Sequence, residues 1–256
     1  VCHTIMYRMS IAIGRVHQWN KDAAQALKSY KTAIHFAKSP EDIAKAYGGR
    51  TSVCGQTGQF DEAHLNLTQA LKQLGISPSK TSVGSLLSIA VKSIRILLIP
   101  ASWQSLRTEE QKRHSILAHK IFENNQIAFE KKIISAVDIS LHSVMQAIKS
   151  GEPRNIGLGY SEAAYTWSAF GLHLFGNLCL RRSGRIESEL DDDEFRGYWF
   201  YCRATALYWG GDLQQSAKFY ELAIPLLRRC QNLLSLQVGL HMNRHLLAFA
   251  GSATEE

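Results

Sequence analysis

Residues 55–75 read GQTGQFDEAHLNLTQALKQLG, an amphipathic stretch with glycines at both ends. Within it, Ala63, Leu67 and Ala70 are spaced i, i+4 and i+7, so they share one face of a helix. Two small residues beside a larger one let a second helix approach closely. Gly58 predicts the turn before this helix, because glycine ends helices at low cost. The stretch therefore predicts the second helix of a helical hairpin.

The same small–large–small face recurs elsewhere in the chain. One copy lies 37 residues earlier, and another lies near the C-terminal end, five residues after a glycine. Each copy follows another helical run, so each unit is helix, short turn, helix. Units of this kind predict an all-α fold in which each unit packs mainly on its neighbours. The two further copies are Ala26, Tyr30 and Ala33, and Ser216, Tyr220 and Ala223.

The composition is that of a folded helical protein. Hydrophobic residues make up 45% and charged residues 20% of the 256, which excludes a disordered chain, and only five prolines occur. The net charge of +7 comes from scattered cations rather than a basic stripe. Solvated helix faces explain this pattern, and no nucleic-acid partner is expected. The five cysteines form no CxxC pair and suit a reducing cytoplasm.

These units resemble the tetratricopeptide repeat. That family places small residues in the first helix, a glycine turn, and an alanine, a large residue and an alanine in the second helix. Ile13-Gly14 stands where the family often has Leu-Gly, and the likeness covers residues 7–40 and 44–75 and, more loosely, 197–232. The period of 37 exceeds the usual 34, which predicts longer loops or helix ends. The resemblance implies helix pairs stacked in a right-handed superhelix.

The order of the segments is similar to the helical region behind the ATPase module of large multidomain signalling proteins. It comprises two regular repeats (1–76), a linker with an apolar helix (77–108) and divergent helical pairs with a truncated last repeat (109–256). Such proteins couple a predicted ATPase to a nucleotide cyclase or a protein kinase. The likeness implies a non-catalytic, cytoplasmic regulatory scaffold that is a fragment of a longer chain. Its partners would be a protein segment or other domains of that chain.

The chain shows no motif of a catalytic or cofactor site. A Walker phosphate loop, GxSxG and HExxH are all absent, so we predict no catalytic residue, cofactor or metal. His241 and His245 share a helix face and could hold a metal, but no third ligand is evident. Cys54 with His17 or His64 would be a nucleophile pair, yet Cys54 occupies a packing position.

Candidate partner-binding residues lie on the first helix of each pair. In this kind of array those helices line the concave face, and outward cations there suit acidic or carboxylate-bearing segments. Tyrosine and tryptophan beside them are either core residues or part of the binding patch. The candidates are Arg8, Arg15, Lys45, Arg50, Arg203, Tyr198, Trp199 and Tyr201.

Three further expectations concern the divergent half. Phe200, with Ala204 and Leu207, is expected to face inward. The acidic run 191–194 is expected to start a helix, since carboxylates cap and stabilise helix N-termini. Residues 183–185, Ser-Gly-Arg, are expected to end one.

Two other functional classes stay open. One is an enzyme with its site in the middle helices, which is disfavoured because no polar constellation appears there. The other is a helical-repeat nucleic-acid binder, marked by steep salt dependence. The apolar run Leu86–Pro100 is too short to span a bilayer and predicts a buried or amphipathic helix, with a membrane-surface helix as the alternative.

Overall fold

The computed structural model describes residues 2–77, 82–124, 133–230 and 233–252. Every regular element in these ranges is a helix, which confirms the all-α prediction. Within them the chain forms thirteen helices: α1 Cys2–Trp19, α2 Ala23–Phe36, α3 Pro40–Gln56, α4 Phe60–Gln73, α5 Ser82–Leu98, α6 Ala101–Gln104, α7 Glu109–Asn124, α8 Ile133–Ser150, α9 Pro153–Ala169, α10 His173–Glu189, α11 Asp193–Trp209, α12 Leu213–Arg229 and α13 Leu233–Ser252.

The chain divides into two compact units. The first contains Val1–Ser93 and Leu106–Ser150, and the second contains Ile94–Ser105 and Gly151–Glu256. In the first unit, α1 packs on α2, α3 on α4 and α7 on α8; in the second, α9 packs on α10, α11 on α12, and α13 on α12. The division of the sequence by repeat regularity, at residues 76 and 108, follows a different criterion and stays a prediction.

Four of the helix pairs share one turn geometry. In each, one residue has a positive φ, and the residue after it donates its backbone N–H to the carbonyl five positions earlier, as in a Schellman motif. This geometry satisfies carbonyls that the end of a helix otherwise leaves unpaired. The positive-φ residues are Lys21 (60°), Gly58 (74°), Gly171 (76°) and Gly211 (83°).

Replacing Lys21 by glycine should stabilise the first unit. A non-glycine residue in the left-handed region carries a steric penalty of about 1–2 kcal/mol, of which glycine's extra chain entropy takes back roughly half. We expect Lys21→Gly to raise the free energy of unfolding by about 0.5–1 kcal/mol, measured by urea denaturation. The reciprocal substitution Gly211→Lys should lower the free energy of unfolding of the second unit. If both substitutions changed this free energy in the same direction, the shared turn geometry would be contradicted.

The three small–large–small faces predicted from the sequence are all buried. Each of their small residues has no exposed surface, and the central Tyr30, Leu67 and Tyr220 are exposed by 3% or less. The Tyr30 ring lies between two glycines of neighbouring helices, since a Cβ on Gly14 or Gly49 would come within 2.9 Å or 2.4 Å of it. These close approaches explain why the first helices carry glycine opposite a large residue.

A fourth face of this type was missed in the sequence. Gly176, Leu180 and Ser183 follow Gly171 at the same distances as Ala63, Leu67 and Ala70 follow Gly58, and all three are buried. The two small residues of this face are glycine and serine rather than alanine, so a search for the alanine pattern does not find it. The signal that could have found them is their spacing from the turn glycine.

Helix α10 continues past the residues that were expected to end it. It runs through Gly184 to Glu189, so the expectation of a break at 183–185 is wrong. A Cβ on Gly184 would lie 3.1 Å from the Trp199 ring, which makes this glycine a close-packing residue. The acidic run does start a helix as predicted, because the Asp192 carboxylate accepts a hydrogen bond of 2.9 Å from the Phe195 N–H.

The inward face of α11 differs from the predicted one. Ala204 is fully buried, but Phe200 and Leu207 are only half-buried. Phe195 and Thr205 are the more deeply buried positions on this helix. The error arises because helices pack on α11 from more than one side, so a single inward stripe does not describe it.

The first part of helix α5, up to Ser93, turns a polar side inward, and beyond it Ile96 is fully buried. Ser85 and Lys92 are buried, whereas Leu86, Leu87 and Val91 are exposed by 53%, 69% and 49%. The run forms a helix, as predicted, and in its first part the orientation is opposite to that of a usual surface helix. No helix in the described ranges has both the length and the apolarity needed to cross a membrane.

Candidate protein-binding surface

Three of the predicted cations are exposed on α1 and α3 of the first unit. Arg8 and Arg15 lie two turns apart on α1, and Lys45 lies on α3, which packs against α1 and α2. Arg8 precedes the turn residue Lys21 by 13 positions, and Lys45 precedes Gly58 by the same number, so the two occupy equivalent places. We call Arg8, Arg15 and Lys45 the basic surface.

The basic surface is not neutralised from within its own unit. Among the residues that the structure describes, no carboxylate forms an ion pair with Arg8, Arg15 or Lys45. Arg50, which also lies on α3, differs in this respect, because its guanidinium forms an ion pair with Glu62 at 3.3 Å. The basic surface therefore keeps its hydrogen-bond donors available for a partner.

Arg50 and Arg203 occupy equivalent positions, eight residues before Gly58 and Gly211, and both are engaged inside their units. The Arg203 guanidinium stacks 4.3 Å from the Phe219 ring and 5.3 Å from the Trp199 ring, and its burial lowers its pKa. The Nε of Arg50 is buried and has no hydrogen-bond partner among the described residues. The expectation that these two arginines point freely outward therefore needs correction.

Two of the predicted aromatic binding residues are core residues. Trp199 and Tyr201 are exposed by only 8% and 9%, and the Tyr201 ring lies 6.3 Å from the Tyr220 ring. Of the two alternatives, core residue or binding patch, this burial supports the core for Trp199 and Tyr201, because a partner cannot reach buried rings. Tyr198 is half-buried and stands 13 positions before Gly211, the place that Arg8 and Lys45 take in their hairpins.

Compared with known proteins, the sequence matches no family model and no curated protein. The function must therefore be inferred from the surface and the interior of this chain. The likeness to tetratricopeptide regions of ATPase-linked proteins stays an expectation from sequence.

A buried polar cluster lies in the first unit, in helices where none was expected. Lys92 of α5 donates to the Asp138 carboxylate of α8 at 2.6 Å and to the Asp138 backbone carbonyl at 3.2 Å. Lys92 is exposed by 8% and Asp138 by 1%. The expectation that the middle helices hold no polar constellation is therefore wrong. A sequence signal existed for Asp138, which is the only charge in the apolar run 133–141, and buried charges require a partner.

His142 completes this cluster. Its ring stacks on Phe122 at 6.1 Å between centroids. Burial, together with the charges of Lys92 and Lys149, lowers the pKa of His142 to about 4, against the opposing effect of Asp138. The imidazole is therefore neutral near pH 7. The neutral His142 ring and the ion pair between Lys92 and Asp138 together form a buried polar cluster that holds the polar side of α5 in the interior.

His142 should make the first unit sensitive to mild acid. As the pH falls below 6.5, the histidine of the unfolded chain takes up a proton, while His142 in the folded chain stays neutral down to about pH 4. The stability is fully present above pH 6.5 and is lost through this window. Between pH 6.5 and pH 4, we expect the free energy of unfolding to fall on the order of 2 kcal/mol less in His142→Gln than in the unaltered chain. Urea unfolding at several pH values measures this difference. The exposed His35→Gln is the control, and an equal effect there would contradict the assignment.

The structure gives little support to His241 and His245 as a metal site or to Cys54 as a nucleophile. The Nε2 atoms of His241 and His245 lie 3.2 Å apart on the exposed side of α13. Within the described ranges, no three His, Cys, Asp or Glu side chains come together to hold a metal ion. Cys54 is buried, and its burial raises the pKa of its thiol, which disfavours the nucleophilic thiolate.

Proposed function

We propose that this chain is a non-catalytic protein-binding scaffold. In this proposal its hairpins are tetratricopeptide-like repeats stacked in a right-handed superhelix, and they form a regulatory region of a larger cytoplasmic signalling protein linked to an ATPase. The repeated turn geometry and the repeated buried faces support the repeat assignment. The link to an ATPase rests on the sequence resemblance alone.

The observation that carries the binding proposal is the basic surface. Equivalent positions of two adjacent hairpins place Arg8 and Lys45 outward, and Arg15 extends the same side of α1. Guanidinium groups recognise carboxylates through paired hydrogen bonds. The partner chemistry that fits is an acidic protein segment, from another protein or from another domain of the same polypeptide.

The expected affinity is modest. Each exposed ion pair contributes at most about 1 kcal/mol and weakens with salt. Three cations alone therefore give weak, salt-sensitive binding, and further affinity has to come from neighbouring apolar contacts. A weak electrostatic contact suits a regulatory interaction that has to be reversible.

Fluorescence anisotropy on the full chain tests the proposal, with a labelled peptide of alternating glutamate and serine as the probe. We expect the triple charge reversal Arg8→Glu, Arg15→Glu and Lys45→Glu to weaken binding at low salt by at least about tenfold, because attraction becomes repulsion. Circular dichroism should show an unchanged fold, since all three side chains are exposed.

The matched control reverses three exposed lysines on second helices, Lys28→Glu, Lys31→Glu and Lys218→Glu, with the same change of net charge. Equal loss of binding in this control would overturn the proposal in favour of non-specific attraction. A mixed-sequence DNA duplex that binds more tightly than the peptide, with a steep salt dependence, would instead support the nucleic-acid alternative.

A further inference from the structure

An apolar face of α1 lies open in this chain. Ile5, Met9 and Val16 are exposed by 51%, 53% and 58%, and Ala12 between them is also exposed. These residues lie 16, 12, 9 and 5 positions before the turn residue Lys21. We call these four positions the outer face of a first helix. On α1 it lies opposite the buried Tyr7, Ser10 and Gly14 and carries no charge.

The equivalent outer face of α11 is covered. Its residues Phe195, Trp199, Cys202 and Ala206 stand at the same distances before Gly211 and are exposed by 8% or less. Helix α11 packs on both helices of the preceding hairpin, α9 and α10. A Cβ on Gly157 of α9 would lie 2.4 Å from the Phe195 ring, so this glycine makes room for it.

The outer face of α3 is covered in the same manner. Ala46 and Val53 are exposed by 0% and 2%, and α3 packs on both α1 and α2. Val53 lies in one apolar cluster with Ala26 and Tyr30, and Ala46 lies in another with Ala33. The small–large–small face of α2 is therefore what covers the outer face of α3.

We propose that the outer face of α1 is a docking surface for one more helical hairpin of the same repeat type. This hairpin would pack on the outer face of α1 in the same way as the hairpin of α1 and α2 packs on the outer face of α3. On α3 and α11 the preceding hairpin covers this face, and small residues of that hairpin, Ala26 and Ala33 on α2 and Gly157 on α9, lie against its apolar side chains. This inference does not depend on the basic surface, because Arg8 and Arg15 point to a different side of α1.

The test adds a hairpin to the full chain. Residues 153–192, which comprise α9, α10 and the connection to α11, are joined directly to His3. Ile5 then takes the register of Phe195, and Asp192 is placed to cap α1 as it caps α11. The Met9 side chain takes the register of Trp199 and should become covered.

Oxidation by hydrogen peroxide reads out the result, because methionine reacts according to its exposure. We expect Met9 to oxidise at least about tenfold more slowly in the fusion than in the unaltered chain. Met6, which is exposed by 38% and lies outside the outer face, is the internal reference and should change little.

The matched control carries two extra residues between Asp192 and His3, which rotates α1 out of register by about 200°. Equal Met9 oxidation in the two fusions would overturn the proposal. Concentration-dependent protection of Met9 in the unaltered chain would also overturn it, since the occupant would then be a second copy. Protection of Met9 by phosphatidylserine vesicles would replace the hairpin by a membrane surface.

Discussion

Tyr220→Ala should lower the free energy of unfolding by about 3–5 kcal/mol, among the largest effects of any single substitution in the second unit. Tyr220 has no exposed surface, and its ring packs 6.3 Å from the Tyr201 ring. Its hydroxyl also shares a hydrogen bond of 2.8 Å with Thr205. The substitution would remove the large residue of a small–large–small face and leave a cavity between α11 and α12. Chemical denaturation followed by circular dichroism measures the loss.

Two variants separate packing from other causes. Tyr220→Phe keeps the ring and removes the hydroxyl, so it should cost only about 1–2 kcal/mol, for the lost hydrogen bond. Leu222→Ala removes a side chain of the same helix that is 50% exposed and should change stability by less than about 0.5 kcal/mol. A cost for Tyr220→Ala no larger than that for Leu222→Ala would contradict the assignment of this face to the core.

Lys92→Met should cost about 3–5 kcal/mol in the first unit. The substitution leaves the Asp138 carboxylate, which is 1% exposed, without its counter-charge and without the hydrogen bond of 2.6 Å. Replacing both residues, as Lys92→Met with Asp138→Leu, should restore most of the stability, because an apolar pair of similar volume needs no charge compensation. The double-mutant cycle measures this coupling directly.

The surface pair of Lys112 and Glu109 provides the control for this cycle. Its atoms approach to 2.8 Å, close to the distance in the buried pair, but the Glu109 side chain is 76% exposed. Lys112→Met should therefore cost less than about 1 kcal/mol. If Lys92→Met cost as little, the buried pair would not be what holds the polar side of α5 inward.

The helices and the repeated faces were accessible to sequence reasoning because they depend on local periodicity. Ala63, Leu67 and Ala70 follow helical spacing, and burial follows from that spacing. The role of Gly184 was not accessible in this way. A glycine ends a helix or admits a neighbour depending on what packs beside it, and Trp199 lies on another helix.

For the predicted binding residues too, the sequence indicates exposure but not contacts with other helices. Register along a helix fixes a side chain's direction, and it correctly gave the exposure of Arg8, Arg15 and Lys45. It did not show that the Arg203 guanidinium stacks on the Phe219 ring, because Phe219 lies on another helix, α12. The pairing of Lys92 with Asp138 joins helices that are 46 residues apart in sequence, which local patterns do not report.

Photo-crosslinking tests the basic surface most directly. A photoreactive form of the glutamate–serine peptide is bound to the full chain at low salt, and the linked residues are read by mass spectrometry. We expect the cross-links to concentrate on α1 and α3, around Arg8, Arg15 and Lys45, and to disappear with the triple charge reversal. Cross-links spread evenly over the exposed lysines of α2 and α12 would contradict a specific acidic-partner site on these helices.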